Sequence, residues 1–185
     1  MSVIVCEFVT LDGRVSDPDG RGGTATGGWA FRYGSETVGG DKFRLAHALD
    51  EGVLLLGRRT WELFATIWPG RDDPFATRMN KAAKLVVSHT LADTSSWTNS
   101  TLVEGDLHTA VENAPGDVIV TGSLTIVRAL REKDLVDEYR LLIFPTVLGS
   151  GDRLFADGEP PADLELLSVD TVGAAVLTRY VRAGR

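Results

Sequence analysis

Asp117–Arg131 reads DVIVTGSLTIVRALR, and this stretch decides the fold. Val118 to Val120 form a short apolar run, the pattern of a strand buried on both faces. Gly122-Ser123 breaks the run. Leu124, Val127 and Leu130 then recur at helical spacing, and Ile126 broadens the apolar stripe. A buried strand that enters a helix through a glycine turn leaves free backbone N–H groups at the helix start. Those donors, with the positive end of the helix dipole, suit a phosphate. In open α/β sheets ligands lie beyond the carboxyl ends of the strands. The alternative is a plain strand-to-helix turn with Ser123 near the cap.

The same pattern occurs once more upstream. Val53-Leu54-Leu55-Leu56 runs into Gly57-Arg58-Arg59-Thr60, and a helix follows through Trp61, Phe64 and Ala65. Here two guanidinium groups and a hydroxyl join the backbone donors. Each charge-assisted bond from arginine to phosphate contributes roughly 1.5–3 kcal/mol. A surface arginine pair at a turn is the competing reading, but two such turns in one chain reinforce each other.

Outward from these turns the elements alternate. Val3 to Val9 predicts a first strand, left through the Asp-Gly turn of Thr10-Leu11-Asp12-Gly13-Arg14. Asp72-Asp73-Pro74 predicts a helix start with proline near N1. Lys84 to Val87 predicts a third strand, whose end places Ser88 either at a ligand phosphate or as a loop cap. Thr101 to Val103 reads as a minor strand and Asp106 to Asn113 as a helix capped by Asp106. After the opening segment, Leu135 to Phe144 predicts a long strand stopped by Pro145, and Leu154-Phe155 an apolar plug. Leu164 to Val169 and Ala175 to Val181 predict a hairpin through Gly173 with alternating exposure. Strand–helix alternation ending in consecutive strands implies an α/β fold with a mixed sheet flanked by helices.

Two segments remain. The stretch to Gly40 is long and rich in glycine, but its spacing does not fit a dinucleotide fingerprint and no helix follows directly. A loop this long is functional or disordered, and Trp29, Phe31 and Tyr33 favour a lid that packs over something. Asp41 to Asp50 predicts a helix in which Asp41 shares a side with Leu45, Ala48 and Leu49. Asp41 is then either the N-cap after Gly39-Gly40 or a carboxylate directed at a ligand.

With 185 residues the chain suits one domain with a proper core, and its 43% hydrophobic and 24% charged residues are ordinary for a globular protein. A net charge of -7 argues against broad nucleic-acid binding. The single cysteine, Cys6, excludes an internal disulfide framework and reads as a packed core thiol. No secretory signal and no membrane-length apolar run is visible, so a cytoplasmic location is the expectation.

Several motifs resemble known reductases. Leu56-Gly57-Arg58-Arg59-Thr60-Trp61-Glu62 resembles the Gly-Arg-x-Thr-Trp-Glu segment of dihydrofolate reductases, with Val120-Thr121-Gly122-Ser123 where those enzymes carry a glycine run. Asp134 to Glu138 and Pro145 to Phe155 resemble the signature of the riboflavin-biosynthesis reductase domain, the C-terminal half of the bifunctional deaminase-reductase. Thr10-Leu11-Asp12-Gly13 is similar to its Ser-Leu-Asp-Gly, and the whole looks most like the stand-alone bacterial proteins of this superfamily.

The resemblance implies a single dihydrofolate-reductase-like, three-layer domain over residues 1–185, NADPH as cofactor and a homodimer. It implies that Gly57, Arg58, Arg59 and Thr60 hold cofactor phosphates, that Ser88 lies near the adenosine 2′-phosphate, and that Gly122 and Ser123 cradle the pyrophosphate. It also implies that Asp41 grips an aminopyrimidine edge with paired hydrogen bonds and assists protonation. Ser35 to Gly40 replaces the Pro-Trp…Leu-Pro run of dihydrofolate reductases. One cysteine cannot supply the zinc ligands of the deaminase half, so neither deaminase activity nor a metal is expected. The reading is an NADPH-dependent reductase acting on a small pterin-like or ribosylaminopyrimidine substrate, with no nucleic-acid or membrane partner. Its rivals are dihydrofolate reduction, nucleotide binding without catalysis, and a flavin-type redox protein.

Overall fold

A computed structural model describes residues 1–184. The chain divides into two compact units, Met1–Val5 with Arg44–Asp137, and Cys6–Phe43 with the described residues from Glu138 onward.

The first unit is built on parallel strands. The amino half of β1 (Val3–Thr10) pairs with β5 (Val118–Val120), which pairs with β2 (Val53–Gly57). β3 (Ala83–Val87) and β4 (Ser100–Leu102) extend the order to β4-β3-β2-β5-β1, every pairing parallel. Val118, Ile119 and Val120 are fully buried, as their uninterrupted apolar run requires, because helices cover both faces of a parallel sheet. α3 (Arg58–Ile67) begins on the residue after β2, and α6 (Leu124–Glu132) follows β5 after a short turn. α6 buries Ile126, Val127 and Leu130, each contributing roughly 1.5–3 kcal/mol. α4 (Pro74–Lys81) and α5 (Leu107–Glu112) are capped as predicted: Asp73 accepts from the N–H groups of Phe75 and Ala76, and Asp106 from those of His108 and Thr109. One polar residue is sealed inside this unit. Lys84 donates through Nζ to the carbonyls of Asn80 (2.9 Å), Ala82 (2.8 Å) and Thr98 (3.1 Å), 4.3 Å above the Trp97 ring. Burial lowers its pKa to about 8.

The second unit takes the carboxyl half of β1 with β6 (Glu138–Phe144), β7 (Leu164–Val172) and β8 (Ala175–Arg182), in the order β1-β6-β8-β7. β8 is antiparallel to both its neighbours. The chain is thus a mixed, mostly parallel α/β protein of eight strands with antiparallel C-terminal strands. The β7–β8 hairpin turns through Gly173 at φ +55°, where a side chain would also run into Thr37.

Five expectations need correction. The glycine-rich stretch is a stitched cover rather than a lid. Trp29 is fully buried, donates through Nε1 to the Ser16 carbonyl (2.8 Å) and packs edge-on against Phe144, while the Tyr33 hydroxyl donates to the Pro145 carbonyl (3.0 Å). β6 begins at Glu138 rather than Leu135, and of the apolar plug only Leu154 is buried, Phe155 being 42% exposed against Tyr139. Exposure does not alternate along β7, an edge strand on which Leu166, Leu167 and Val169 are all more than half exposed. Finally, no helix begins at Asp41. Arg44 sits at φ +57°, a left-handed conformation that a right-handed helix excludes, so helix forms only as α2 (Ala46–Glu51) with Leu45 as its cap residue. A further short helix, α1 (Ser35–Val38), precedes the turn that holds Asp41.

Candidate functional site

Adjacency of β2 and β5 brings the two glycine turns together. Their register pairs Leu55 with Val120, so Gly57 and Gly122, each two residues further on, meet, and the Gly57 N–H donates to the Gly122 carbonyl at 3.5 Å. The approach is close enough to require glycine. A Cβ on Gly57 would lie 2.5 Å from Ser123 Oγ and 3.0 Å from Ser123 Cβ. Gly122 has φ +103°, and a Cβ there would lie 3.0 Å from Thr60 Oγ1. The Gly122–Ser123 peptide is cis. Gly57, Thr60, Gly122 and Ser123 therefore form one cluster at the carboxyl ends of two parallel strands.

This cluster is also where two helices start. Gly57 is the cap residue of α3 and Ser123 that of α6, and neither helix receives a side-chain hydrogen bond at its start. The contrast with the aspartate caps of α4 and α5 is chemical. There, carboxylates already neutralise the first-turn N–H groups; at α3 and α6 the donors stay available to an outside anion. The first turn of α3 holds Arg58 and Arg59 and no acid, the reverse of what the helix dipole favours. Functional or strained sites are where a local rule is expected to be broken in this way.

The individual side chains divide. Arg59 is exposed and has no hydrogen-bond or ion-pair partner among the described residues. Arg58 instead lies along its helix, donating to Glu62 one turn on at 3.0 Å, with both side chains over 40% exposed. Such an exposed pair is worth little and costs little to redirect. Ser88 follows Val87, which pairs with Gly57, so it stands at the same end of the sheet. Its hydroxyl oxygen accepts from the N–H groups of Thr90 (3.1 Å) and Leu91 (2.9 Å), which is the loop-capping role, and leaves its hydrogen to donate. Thr121 Oγ1, beside Gly122, is sealed from solvent with no hydrogen-bond partner. Backbone donors, two guanidinium groups and the hydroxyls of Thr60, Ser88 and Ser123 make a donor set that fits the phosphates of a dinucleotide.

Asp41 belongs to the second unit and lies in the turn before Phe43. It is outside any helix and caps none, so the N-cap reading does not hold. Its turn is anchored by Arg140, which donates through Nη1 to the Phe43 carbonyl (3.1 Å) and through Nε to Glu138 (2.8 Å). Burial works against the charge on Glu138, but hydrogen bonds from Arg140 and Arg179 outweigh it and hold the carboxyl below its ordinary value. Periodicity gave no hint of this buried cluster, because its members alternate along strands that read as apolar.

The reductase-like signatures of this unit bind each other. The Asp12 carboxylate accepts from the N–H groups of Leu148 (3.1 Å) and Gly149 (2.8 Å) and from the Thr10 hydroxyl (2.6 Å), while Arg14 donates to the Gly151 carbonyl (2.6 Å). The Thr10 hydroxyl is the largest influence, and with the Gly149 and Leu148 N–H groups it outweighs desolvation and holds the Asp12 carboxyl well below the usual carboxylate range. These motifs form a clasp that closes the unit.

Comparison with known proteins agrees with this geometry. The model of the RibD C-terminal domain matches residues 1–178. The uncharacterized protein YyaP of Bacillus subtilis is 26% identical over 133 residues, 68% of this chain and 70% of that protein. Among solved structures, a putative riboflavin biosynthesis protein from Shewanella sp. PV-4 superposes with TM-score 0.73 at 21% identity, over 98% of this chain and 99% of that one. RibD of Acinetobacter baumannii superposes with TM-score 0.63 at 18% identity, over 98% of this chain but only 58% of that longer one. A pyrimidine reductase-like protein from Corynebacterium diphtheriae superposes with TM-score 0.61 at 9% identity, over 100% of this chain and 92% of that one. At these identities the structures speak to the fold alone, whereas the domain match over nearly the whole sequence establishes that the chain belongs to the RibD C-terminal domain family.

Proposed function

We propose that this protein is an NADPH-dependent reductase that reduces a C=N-type bond in a pterin-like or ribosylaminopyrimidine substrate. The observation that carries the reading is the contact of Gly57 with Gly122-Ser123, which sets two uncapped helix starts side by side at the carboxyl ends of parallel strands. Membership of the RibD C-terminal domain family supports it, as does the name pyrimidine reductase-like for one structural relative.

NADPH, when bound, supplies the hydride. The first N–H groups of α3 and α6, with the Thr60 and Ser123 hydroxyls, hold its pyrophosphate. Arg59 meets an added phosphate directly, Arg58 by leaving Glu62, and Ser88 by donating the hydroxyl hydrogen that its loop does not use. Asp41 anchors the amino edge of the substrate by paired hydrogen bonds, and Arg140 fixes the turn from which it does so. The chain acts as one domain, and the apolar edge strand β7 supports pairing with a second copy.

The test is titration of the purified protein with NADPH and with NADH, followed by thermal unfolding and by coenzyme emission. Stabilisation by NADPH, weaker with NADH, is expected, and no response to either overturns the cofactor assignment. Coenzyme oxidation is then followed with dihydrofolate and with 5-amino-6-(5-phosphoribosylamino)uracil in turn. Binding without turnover of either leaves a nucleotide-binding protein and removes both named substrates.

A further inference from the structure

The far end of α6 carries a cavity that the chemistry above does not use. Ser123 starts this helix at the cradle, and Lys133 closes it about 15 Å further along the axis. There a cavity of about 550 Å³ opens between the end of α6 and the start of α5, lined by Asp106, Leu107, His108, Ala129, Lys133 and Leu135. All of these residues belong to the first unit. The volume is that of a small-molecule site.

Its floor is apolar and held in place. Leu107, Ala129 and Leu135 are each half-buried, so part of their apolar surface faces the cavity uncovered. Leu135 stands here rather than in β6 because of how α6 ends. Asp134 takes φ +59°, its N–H donates to the Arg131 carbonyl (3.0 Å), and the Leu135 N–H donates back to the Leu130 carbonyl (2.9 Å). The polar lining divides. Asp106 gives its carboxylate to α5, accepting from the N–H groups of His108 (2.7 Å) and Thr109 (3.4 Å) and from the Thr109 hydroxyl (2.7 Å). His108 turns Nδ1 to Glu112, 3.2 Å away. Lys133 is exposed, and its ammonium has no hydrogen-bond or ion-pair partner among the described residues. The cavity thus combines an uncovered apolar floor with one unanswered cation. A phosphate dianion would meet that single cation beside the Asp106 charge, whereas a carboxylate needs no second one.

We propose that this cavity is a second binding site, for a small organic monocarboxylate with an apolar, ring-sized body. The body covers Leu107, Ala129 and Leu135, and the carboxylate pairs with Lys133. None of these side chains is assigned to coenzyme or substrate, so the site stands or falls apart from the reductase reading.

The ¹⁵N-labelled full chain is titrated with benzoate, benzyl alcohol and benzylamine, three probes of similar shape and different charge, and backbone amide shifts are followed. Benzoate should saturate the shifts of Leu107, Ala129 and Leu135. It should bind roughly two- to fivefold tighter than benzyl alcohol, the gain from one exposed ion pair, and benzylamine should bind more weakly than either. Lys133→Met keeps the aliphatic stem and removes the charge, so benzoate should lose its advantage over benzyl alcohol. Ala129→Phe fills the cavity and should abolish the shifts from both, with a circular-dichroism melt to show that the variant is folded. Lys133→Met changes only an exposed side chain, so the charge test does not depend on the cavity-filling variant. Three results overturn the proposal: no saturable shift at these amides with benzoate, benzyl alcohol or benzylamine binding as tightly as benzoate, or benzoate keeping its advantage in Lys133→Met.

Discussion

Replacing Gly57 by alanine tests the cradle at its tightest point. Gly57 has φ -74°, a conformation alanine adopts freely, so backbone strain does not enter. Loss of glycine's freedom in the unfolded chain would by itself stabilise by about 0.4–1 kcal/mol. Against this stands the contact, since the new methyl would sit 2.5 Å from Ser123 Oγ and 3.0 Å from Ser123 Cβ, at a fully buried strand end. Such overpacking costs about 1–3 kcal/mol, so the net expectation is a loss of about 1–2 kcal/mol. For a chain of this size that lowers Tm by roughly 2–8 °C. Relief requires α6 to move away from α3, which separates the two sets of first-turn donors. NADPH affinity should therefore fall further than stability does. Ser123→Gly in the same chain removes both clashing atoms and should restore most of the Tm, so the two substitutions are strongly non-additive. Thermal unfolding of the four proteins in the cycle, with coenzyme titration of each, measures both effects. A Gly57→Ala protein with unchanged Tm and NADPH affinity, or a Ser123→Gly that fails to rescue it, refutes the close approach.

Three further outcomes follow from other parts of the molecule. Asp41→Asn should lose about 10²-fold or more in turnover while keeping NADPH affinity, and steady-state kinetics that match wild type would remove Asp41 as the substrate anchor. Lys84 has a folded pKa of about 8 against an ordinary 10.5, so the unfolded chain holds the extra proton between these values. Wild-type stability should then rise across that window, by up to about 3 kcal/mol. Lys84→Met strips the donor from three carbonyls; it should be less stable at pH 7, lack the alkaline rise, and fall further behind wild type as urea unfolding is repeated up to pH 10.5. Asp12→Ala opens the clasp, and because the folded carboxyl is held below its ordinary value, its contribution is present above the carboxylate range and lost as pH falls through it. Melting curves should put the variant well below wild type at pH 7, with the gap closing in acid.

Much of the fold was legible because its signals are local. The apolar run Val118–Val120, the glycine after it and the spacing of Val127 and Leu130 lie within one short segment, and so do Val53–Gly57 and the start of α3. The caps Asp73 and Asp106 and the turn at Gly173 act on residues two or three positions away. Periodicity failed where a single backbone angle intervened. Arg44 at φ +57° shortened the helix assigned to Asp41–Asp50 and moved Asp41 out of it, and no residue pattern there announces a left-handed arginine. The glycine-rich stretch looked open because its anchors, Phe144 and Pro145, come from the far end of the chain.

By itself, then, the sequence determined which segments become strand or helix and where backbone donors are left bare, since both depend on near neighbours along the chain. The tertiary structure alone decided that Gly57 touches Ser123, because only the β2–β5 pairing joins those turns. It also decided that Lys84 meets three carbonyls and that Asp12 serves as a clasp. The reason is physical: whether a buried polar group is satisfied depends on atoms that distant segments bring to it.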